Sequence, residues 1–416
     1  MQQAQQDQVA IIGAGIVGLC TAYALRQAGR AVTLYDANPP ASQCSAGNAG
    51  ALSSRSVAPL AMPGVLRGAF SMLLDAASPL HIPAGYWLRA APWLARFVAS
   101  ARPRRVREIA MALDYLLAGA VDSHAQVAAE LGCPELVRRT GQLHLYPDVR
   151  TRSQDRSTWE LKQAHGLRLD TLDRHAITDL EPAVGPAYAA GVFLPDEGWM
   201  ADPLRYGRAL ASRLVEMQAV FVPAHIAAMQ PTPQGWTLSD GNRDWQAKQI
   251  VVCAGAWSGA LLAAQGYRVP LESQRGYHLH QPDPNIAPSR VVVLADRKVF
   301  ITPMETGLRM AGTVEFGGLQ QAPNMRRAML LARHAQAGLP QLRIDAPQVW
   351  LGHRPCLPDS LPVLGPVPGR EGLWCAFGHG HLGLTASVNT GRLIARAMAG
   401  DLAAGALAPY SVTRFR

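Results

Sequence analysis

Val9-Ala-Ile-Ile-Gly13-Ala-Gly15-Ile-Val-Gly18 is an apolar run that breaks into three glycines; a helix-like stretch, Leu19–Ala28, and a second apolar run ending in an acid, Ala31-Val-Thr-Leu-Tyr-Asp36, follow it. Strand, glycine turn, helix and a strand with a terminal carboxylate form the unit that holds a dinucleotide. Gly13 permits the tight turn, Gly15 lets backbone approach a pyrophosphate, and Gly18 lets the helix pack closely on the strand. The helix N-terminus then presents N–H groups and the positive end of its dipole to the phosphates, and Asp36 can accept hydrogen bonds from a ribose. The motif alone leaves open which dinucleotide is held and what chemistry follows.

Composition bounds the answer. A chain of 416 residues with 49% hydrophobic and 17% charged residues has the length for two domains and a large core, and excludes extensive disorder. Its net charge of +9 suits anionic substrates or an anionic membrane surface. The six cysteines (Cys20, Cys44, Cys133, Cys253, Cys356, Cys375) show no C-x-x-C pair and no metal-ligand spacing, so no metal is expected and a reduced, cytoplasmic setting fits. The first residues lack the basic and long apolar regions of a secretion signal, and no uncharged apolar run reaches the roughly 20 residues of a spanning helix. Any membrane contact is then expected to be peripheral, on the inner face of the cytoplasmic membrane.

Outward from the opening motif, Ala41–Gly50 is a loop of small residues. From Pro59 to Pro103 prolines alternate with Phe70, Leu73, Leu74, Leu80, Ile82, Tyr86, Trp87, Trp93 and Phe97. Trp87, Ala91, Leu94 and Val98 form one helical stripe, followed by Arg102, Arg104, Arg105 and Arg107; packing over the cofactor domain with the arginines solvated is preferred to a membrane anchor. Residues Val106–Leu131 read as one long helix, Gly141–Tyr146 as a strand and Pro203–Met217 as a helix. Gln249–Ser258 is a buried strand that stops at Ala254-Gly255-Ala256 and turns into the helix Gly259–Gln265. Arg290–Leu294, Val299–Thr302 and Leu308–Phe316 lack intervening helices and predict an antiparallel sheet in a second domain, closed by a helix over Asn324–Gly338.

Near the C-terminus, the strand Leu373–Phe377 runs into a second G-x-G-x-x-G, Gly378-His-Gly-His-Leu-Gly383, and a helix pattern Thr385–Ala399. Residues 400–416 offer no further strand with a terminal acid, so a second nucleotide fold is not expected there. The turn instead aims one helix N-terminus at a ligand bound elsewhere, which suits a group gaining negative charge, such as the pyrimidine edge of a flavin on reduction.

Five pieces in this order resemble the FAD-dependent D-amino acid oxidase superfamily, most closely its bacterial D-amino acid dehydrogenase branch. They are the opening motif with Asp36, the loop Ser45–Ser53, the strand-turn Val251–Ser258, Gly352-His-Arg-Pro-Cys-Leu-Pro-Asp-Ser-Leu-Pro-Val-Leu-Gly365, and Gly378–Thr385. The resemblance implies an α/β fold: a Rossmann-like FAD-binding domain (residues 1–60, 150–265 and 345–416) and a substrate domain built on a mixed or antiparallel sheet (61–149 and 266–344). It implies non-covalent FAD held by Gly13, Ala14, Gly15, Ile16, Val17, Gly18, Asp36, Ala37, Asn38, Ser45, Ala46, Asn48, Ala49, Gly50, Leu52, Ile226, Cys253, Ala254, Gly255, Trp257, Gly380, His381, Leu382, Gly383, Leu384 and Thr385. Cys356 falls near a position where sarcosine oxidases link flavin, yet its surroundings follow the dehydrogenase pattern.

The implied chemistry is oxidative deamination: hydride passes from the α-carbon of an amino acid to flavin N5, the imino acid hydrolyses or cyclises, and electrons leave to a quinone or other carrier. The protein must bind the carboxylate and align the C–H bond. Arg354 is the first choice for the carboxylate, since a guanidinium fork matches two oxygens and Gly352 and Pro355 shape a turn around it. Arg275-Gly-Tyr-His278 is similar to a segment of relatives acting on D-proline-type or hydroxyproline-type substrates. Tyr277 and His278 point to opposite faces of a strand, so one meets substrate, and Arg275 shares Tyr277's face as a second anion ligand. His379 and His381 flank the glycine turn, as flavin contacts or as structural imidazoles. Oxygen-using glycine- or sarcosine-type oxidation, a subunit of a larger flavin dehydrogenase, an NAD enzyme and a tRNA-modifying flavoenzyme are the alternatives; no basic track with interleaved aromatics supports nucleic acid.

Overall fold

The computed structural model describes residues 8–64 and 80–415. Phe70, Leu73 and Leu74, noted in the sequence, fall outside them.

Gln8–Ile12 lies inside a six-stranded sheet ordered Val220–Pro223, Ala31–Asp36, Gln8–Ile12, Gln249–Val252, Leu373–Phe377, Val363–Pro366. All neighbours run parallel except the last pair. Strands of a parallel sheet are covered on both faces, which is why Val9–Ile12 and Ile250–Val252 read as continuous apolar runs. Gly13 ends the first strand with φ +108°, and a Cβ there would stand 2.5 Å from the carbonyl oxygen of Cys253. A Cβ on Gly18 would stand 2.0 Å from the Gly13 carbonyl oxygen, so both glycines are dictated by sterics. The helix Ile16–Gln27 starts three residues earlier than expected and lies against the C-terminal helix Gly383–Ala399, where Gly391 faces the Cys20 carbonyl.

The second sheet has nine strands. Eight follow the order Gln348–Cys356, Glu272–Gln281, Gly307–Phe316, Val299–Met304, Val291–Leu294, Gln142–Tyr146, Ala190–Leu194, Asp170–Asp173, and Leu80–His81 joins Gly307–Phe316 from the side. Pairing is antiparallel apart from two parallel contacts, so the sheet is mixed. The helix Met325–Gly338 packs its Ala328, Leu331 and Ala335 against it.

Sheet membership divides the chain differently from the expected boundaries. Asp170–Asp173, Ala190–Leu194 and Gln348–Cys356 sit in the second sheet, because Gln142–Tyr146 pairs with Ala190–Leu194 and Gln348–Cys356 with Glu272–Gln281. Conversely, the helical segment after Pro103 leans on the cofactor side: Asn389 of the C-terminal helix donates to the carbonyls of Leu116 and Ala118 and accepts from Ser123 Oγ. The single helix expected over Val106–Leu131 is two, Pro103–Leu117 and Ala120–Glu130, broken at Gly119 with φ +63°; Asn389 takes up carbonyls at the break.

The helix Trp87–Ser100 buries Ala90, Trp93 and Ser100 rather than the expected stripe, since Trp93 packs edge-on against Phe316 and stacks on Phe97. Trp87 and Ala91 are left exposed. Among the described residues no helix is long and apolar enough to cross a membrane.

Candidate active site

The carboxyl ends of the parallel strands open onto a cavity of about 1890 Å³ whose opposite wall is the nine-stranded sheet. That exceeds the roughly 300–1,000 Å³ of an ordinary small-molecule site, leaving space for a dinucleotide and a second ligand. At the nucleotide end Asp36 uses Oδ2 to accept from the Ala14 N–H at 2.8 Å and Oδ1 to accept from the Asn38 N–H at 2.9 Å. A carboxylate offers about four acceptor directions, so ribose hydroxyls can still be taken. Ile16 N–H donates to Ser45 Oγ at 2.9 Å, which ties the start of the first helix to the small-residue loop.

Of the residues expected around the cofactor, Gly13, Gly15, Ile16, Val17, Asp36, Ala37, Asn38, Ser45, Asn48, Ala49, Ile226, Cys253, Ala254, Gly255, Trp257 and Gly380 through Thr385 face the cavity. Five lie behind its wall. Leu52 is a fully buried core residue, Gly18 and Gly50 are packing glycines, Ala14 serves through its N–H on Asp36, and the Ala46 carbonyl is taken by Arg309. The phosphates of a dinucleotide would here meet backbone N–H groups of a glycine turn and a helix end, the donor set such a ligand needs.

Arg309 was not singled out in the sequence, where it is one arginine in a strand. Its Nη1 donates to the carbonyls of Ala46 at 2.9 Å and Asn48 at 2.6 Å, and Thr302 Oγ1 donates to that of Ala49 at 2.7 Å. Burial pulls the Arg309 guanidinium down to about 10, against a smaller upward pull from Asp202. The second sheet thus grips the small-residue loop by its carbonyls.

Arg354 faces the cavity from the strand Gln348–Cys356, and its Nη1 donates to the carbonyl of Thr313 at 2.9 Å. Gly276, on the neighbouring strand, clears its place: a Cβ there would fall 2.2 Å from Arg354 Cζ. Thr313 has φ +61°, and the register between Glu272–Gln281 and Gly307–Phe316 slips opposite it, between Arg275 and Tyr277. A bulge of this kind re-aims backbone groups, here a carbonyl toward the guanidinium. Neither Thr313 nor Gly276 carries a sequence signal for this role; bulges arise from pairing.

The Arg275–His278 segment behaves otherwise than expected. Arg275 is fully buried and its guanidinium is occupied by the carbonyls of Gln321 and Ala322, the Tyr277 hydroxyl and, at 3.3 Å, Glu315. It does not face the cavity and is not a second anion ligand. Tyr277 borders the cavity, but its hydroxyl donates to Glu315 at 2.6 Å and accepts from the Asn324 N–H at 2.8 Å. His278 lies under Trp350, ring on ring at 4.8 Å, with Nδ1 at 3.0 Å from the Gly47 carbonyl. Burial foremost, then Arg309, pushes its imidazole down to about 3. Trp350 itself forms cavity wall, and Gly47 and Gly352 give its indole room: Cβ atoms on them would fall 2.1 and 2.0 Å from it. Arg275 and Tyr277 thus share a face as alternation requires, and Glu315 with the backbone of Gln321, Ala322 and Asn324 takes up their polar groups.

His379 is buried with Nε2 at 3.0 Å from Thr390 Oγ1, and burial pushes it down to about 3. His381 opens into the cavity; enclosure by the surrounding protein, then Arg354 and Lys162, push it down to about 4. Both imidazoles are neutral at physiological pH. Cys356 is buried against Trp93 and Phe316 while bordering the cavity, and burial pushes its thiol up to about 12, so it is a thiol and not a thiolate.

A dinucleotide unit, a second glycine turn addressing the same cavity and an arginine beneath a mixed sheet define a two-sheet flavin-dependent oxidoreductase. The chain belongs to the DAO family of FAD-dependent oxidoreductases, whose sequence profile matches residues 8–397. It is 37% identical to the D-amino-acid oxidase of Bradyrhizobium diazoefficiens over 98% of both chains. It is 31% identical to the D-amino acid dehydrogenase of Paramagnetospirillum magneticum over 98% of this chain and 99% of the other. Glycine oxidase from Geobacillus kaustophilus shares the fold with a TM-score of 0.77 at 21% identity, over 98% of this chain and 99% of that one. L-proline dehydrogenase from P. horikoshii does so with a TM-score of 0.75 at 16% identity, over 99% and 98%.

Proposed function

We propose that this protein oxidises a D-amino acid at its α-carbon, with non-covalent FAD as the first electron acceptor and a quinone or other carrier as the second. The observation that carries the reading is Arg354, set in the cavity by the Thr313 carbonyl and the absent Gly276 side chain. One guanidinium nitrogen is committed to Thr313, and the rest of the fork is left for a carboxylate. Relatives over nearly the whole chain bear the names D-amino-acid oxidase and D-amino acid dehydrogenase, which supports the D-amino acid class.

When bound, FAD supplies the two-electron sink for the α-hydrogen. The chain's own residues then have three tasks. Arg354 holds the carboxylate and fixes the α-carbon; the wall of Trp350, Gly276 and Thr313 restricts its orientation. His381, held below its ordinary range by enclosure and by Arg354, adds no positive charge beside that arginine and can accept a hydrogen bond from the substrate ammonium. The N-terminus of Gly383–Ala399 presents its positive end to the cavity, where negative charge would develop. The D-proline-type expectation loses its footing, since the polar groups of Arg275 and Tyr277 are spent inside the sheet.

A second reading, oxygen as the electron acceptor, is favoured by the oxidase name of the 37% identical relative. The test is anaerobic bleaching of the yellow holoprotein by paired D- and L-amino acids, followed by turnover in air. Bleaching by D-isomers without stoichiometric peroxide supports the proposal; stoichiometric peroxide moves it to the oxidase reading. Bleaching only by L-isomers, glycine or sarcosine overturns the D-amino acid assignment.

A further inference from the structure

Away from the nucleotide turn, the cavity wall carries two clusters of different character. One brings charged and polar groups, His144, Asp155, Lys162 and Lys298, together with Tyr146 and Trp159. The other starts at Arg354's own strand and is apolar: Leu80, Ile82, Trp93, Leu94, Phe97 and Phe316 line it. Its contact with the arginine is direct in the chain. Thr313, whose carbonyl holds Arg354, precedes Val314, which belongs to this cluster, and Cys356, two residues beyond Arg354, packs with Ile82, Trp93 and Phe316. Trp93 Nε1 donates to the Cys356 carbonyl at 3.4 Å, which fixes the helix Trp87–Ser100 over this end. Leu94 and Phe97 are only partly buried, so each keeps apolar surface that a ligand can cover.

We infer that this apolar cluster receives the side chain of the substrate and selects D-amino acids with a bulky apolar group, aromatic, branched or thioether, over small or acidic ones. The inference rests on the proposed D-amino acid chemistry and adds its side-chain class. A carboxylate anchored at Arg354 leaves the rest of the ligand facing Phe97, Leu94 and Phe316, where each buried methylene gains transfer free energy and a charged group would lose its hydration.

Two measurements on the FAD-loaded protein test it. In calorimetric titrations with acetate, butyrate, hexanoate and 3-phenylpropionate, affinity should rise about fourfold per added methylene, the partition value of one buried CH2. Equal affinities along the series overturn the inference whether or not any amino acid is oxidised. In a substrate panel, kcat/KM for D-phenylalanine, D-leucine and D-methionine should exceed that for D-alanine and D-glutamate by more than about tenfold. D-glutamate as the best substrate would assign the side chain to the charged cluster at Lys162, and a soluble quinone competing with hexanoate while D-phenylalanine and D-alanine react alike would assign the apolar cluster to the acceptor; either overturns it. Phe97→Asp should lower the D-phenylalanine to D-alanine ratio more than about tenfold, and Leu94→Ala lowers it in the same direction should the first variant fold poorly. A panel in which no D-amino acid bleaches the flavin, with the carboxylate series still rising, would retire the D-amino acid reading and leave the assignment of the apolar cluster standing.

Discussion

Arg354 and Thr313 are joined by a hydrogen bond of 2.9 Å from guanidinium to carbonyl, across a gap that exists only because residue 276 has no side chain. Replacing Arg354 with Leu should lower kcat/KM by at least about tenfold, since a hydrogen bond to a charged group is worth about 1.5–3 kcal/mol. Gly276→Ala should act in the same direction by displacing the guanidinium, with flavin content unchanged. Steady-state kinetics on both variants, with absorbance at the flavin band, checks this.

Gly13 is held by two constraints at once, a φ of +108° and the Cys253 carbonyl 2.5 Å from where a Cβ would be. Gly13→Val should therefore purify colourless and melt earlier than the parent. A yellow Gly13→Val protein of parental Tm would refute the cradle.

Non-covalent FAD is expected because the Cys356 thiol is buried and protonated. Acid precipitation should leave a colourless pellet and a yellow supernatant, and Cys356→Ala should retain its flavin.

Arg275 and Glu315 form a buried pair at 3.3 Å, bridged by the Tyr277 hydroxyl. Arg275→Met should cost about 3–5 kcal/mol by removing the counter-charge nearest the buried Glu315, with Arg327 as its remaining cationic neighbour, and Arg275→Met with Glu315→Gln should recover part of that loss. Denaturant melts of the single and double variants give the comparison. A stable single variant with a raised KM would return Arg275 to the substrate site.

His124 is buried between the Leu384 carbonyl, 2.8 Å from Nε2, and the Tyr206 hydroxyl, 3.2 Å from Nδ1, and burial pushes its imidazole down to about 4. The folded state then binds fewer protons than the unfolded one between that value and about 6.5. Stability should be flat above about pH 6.5 and fall as the pH drops toward 4, with His278 and His379 acting in the same sense. Tm measured across this range checks the sign, and His124→Gln should show a shallower slope.

Much of the cofactor side could be read from the chain in order. Gly13, Gly18, the strand ending at Asp36 and the helix start after Gly378 are local: each is dictated by neighbours a few residues away in a βαβ unit or a strand-turn-helix. On the side of the second sheet, Arg354 is the arginine that its Gly-His-Arg-Pro context singled out and that lines the cavity. The alternation expected along Arg275–His278 holds, with Arg275 and Tyr277 on one face and bonded to each other at 3.1 Å, but what that face meets depends on Glu315 and the 321–324 backbone, which no local pattern reveals. The expected single helix over Val106–Leu131 failed for a related reason, since the break at Gly119 is sustained by Asn389, some 270 residues away.

The glycine turns near both ends of the chain follow from residue order alone, because positive φ at Gly13 and Gly378 and the close backbone approach at Gly18 are demands that glycine meets. Which arginine faces the cavity and which is locked in the sheet is fixed by the folded arrangement, since it depends on strand register and on charges brought together from distant segments. Arg275 found Glu315 within the sheet, whereas Arg354 found a carbonyl at a bulge and kept the rest of its fork for a ligand.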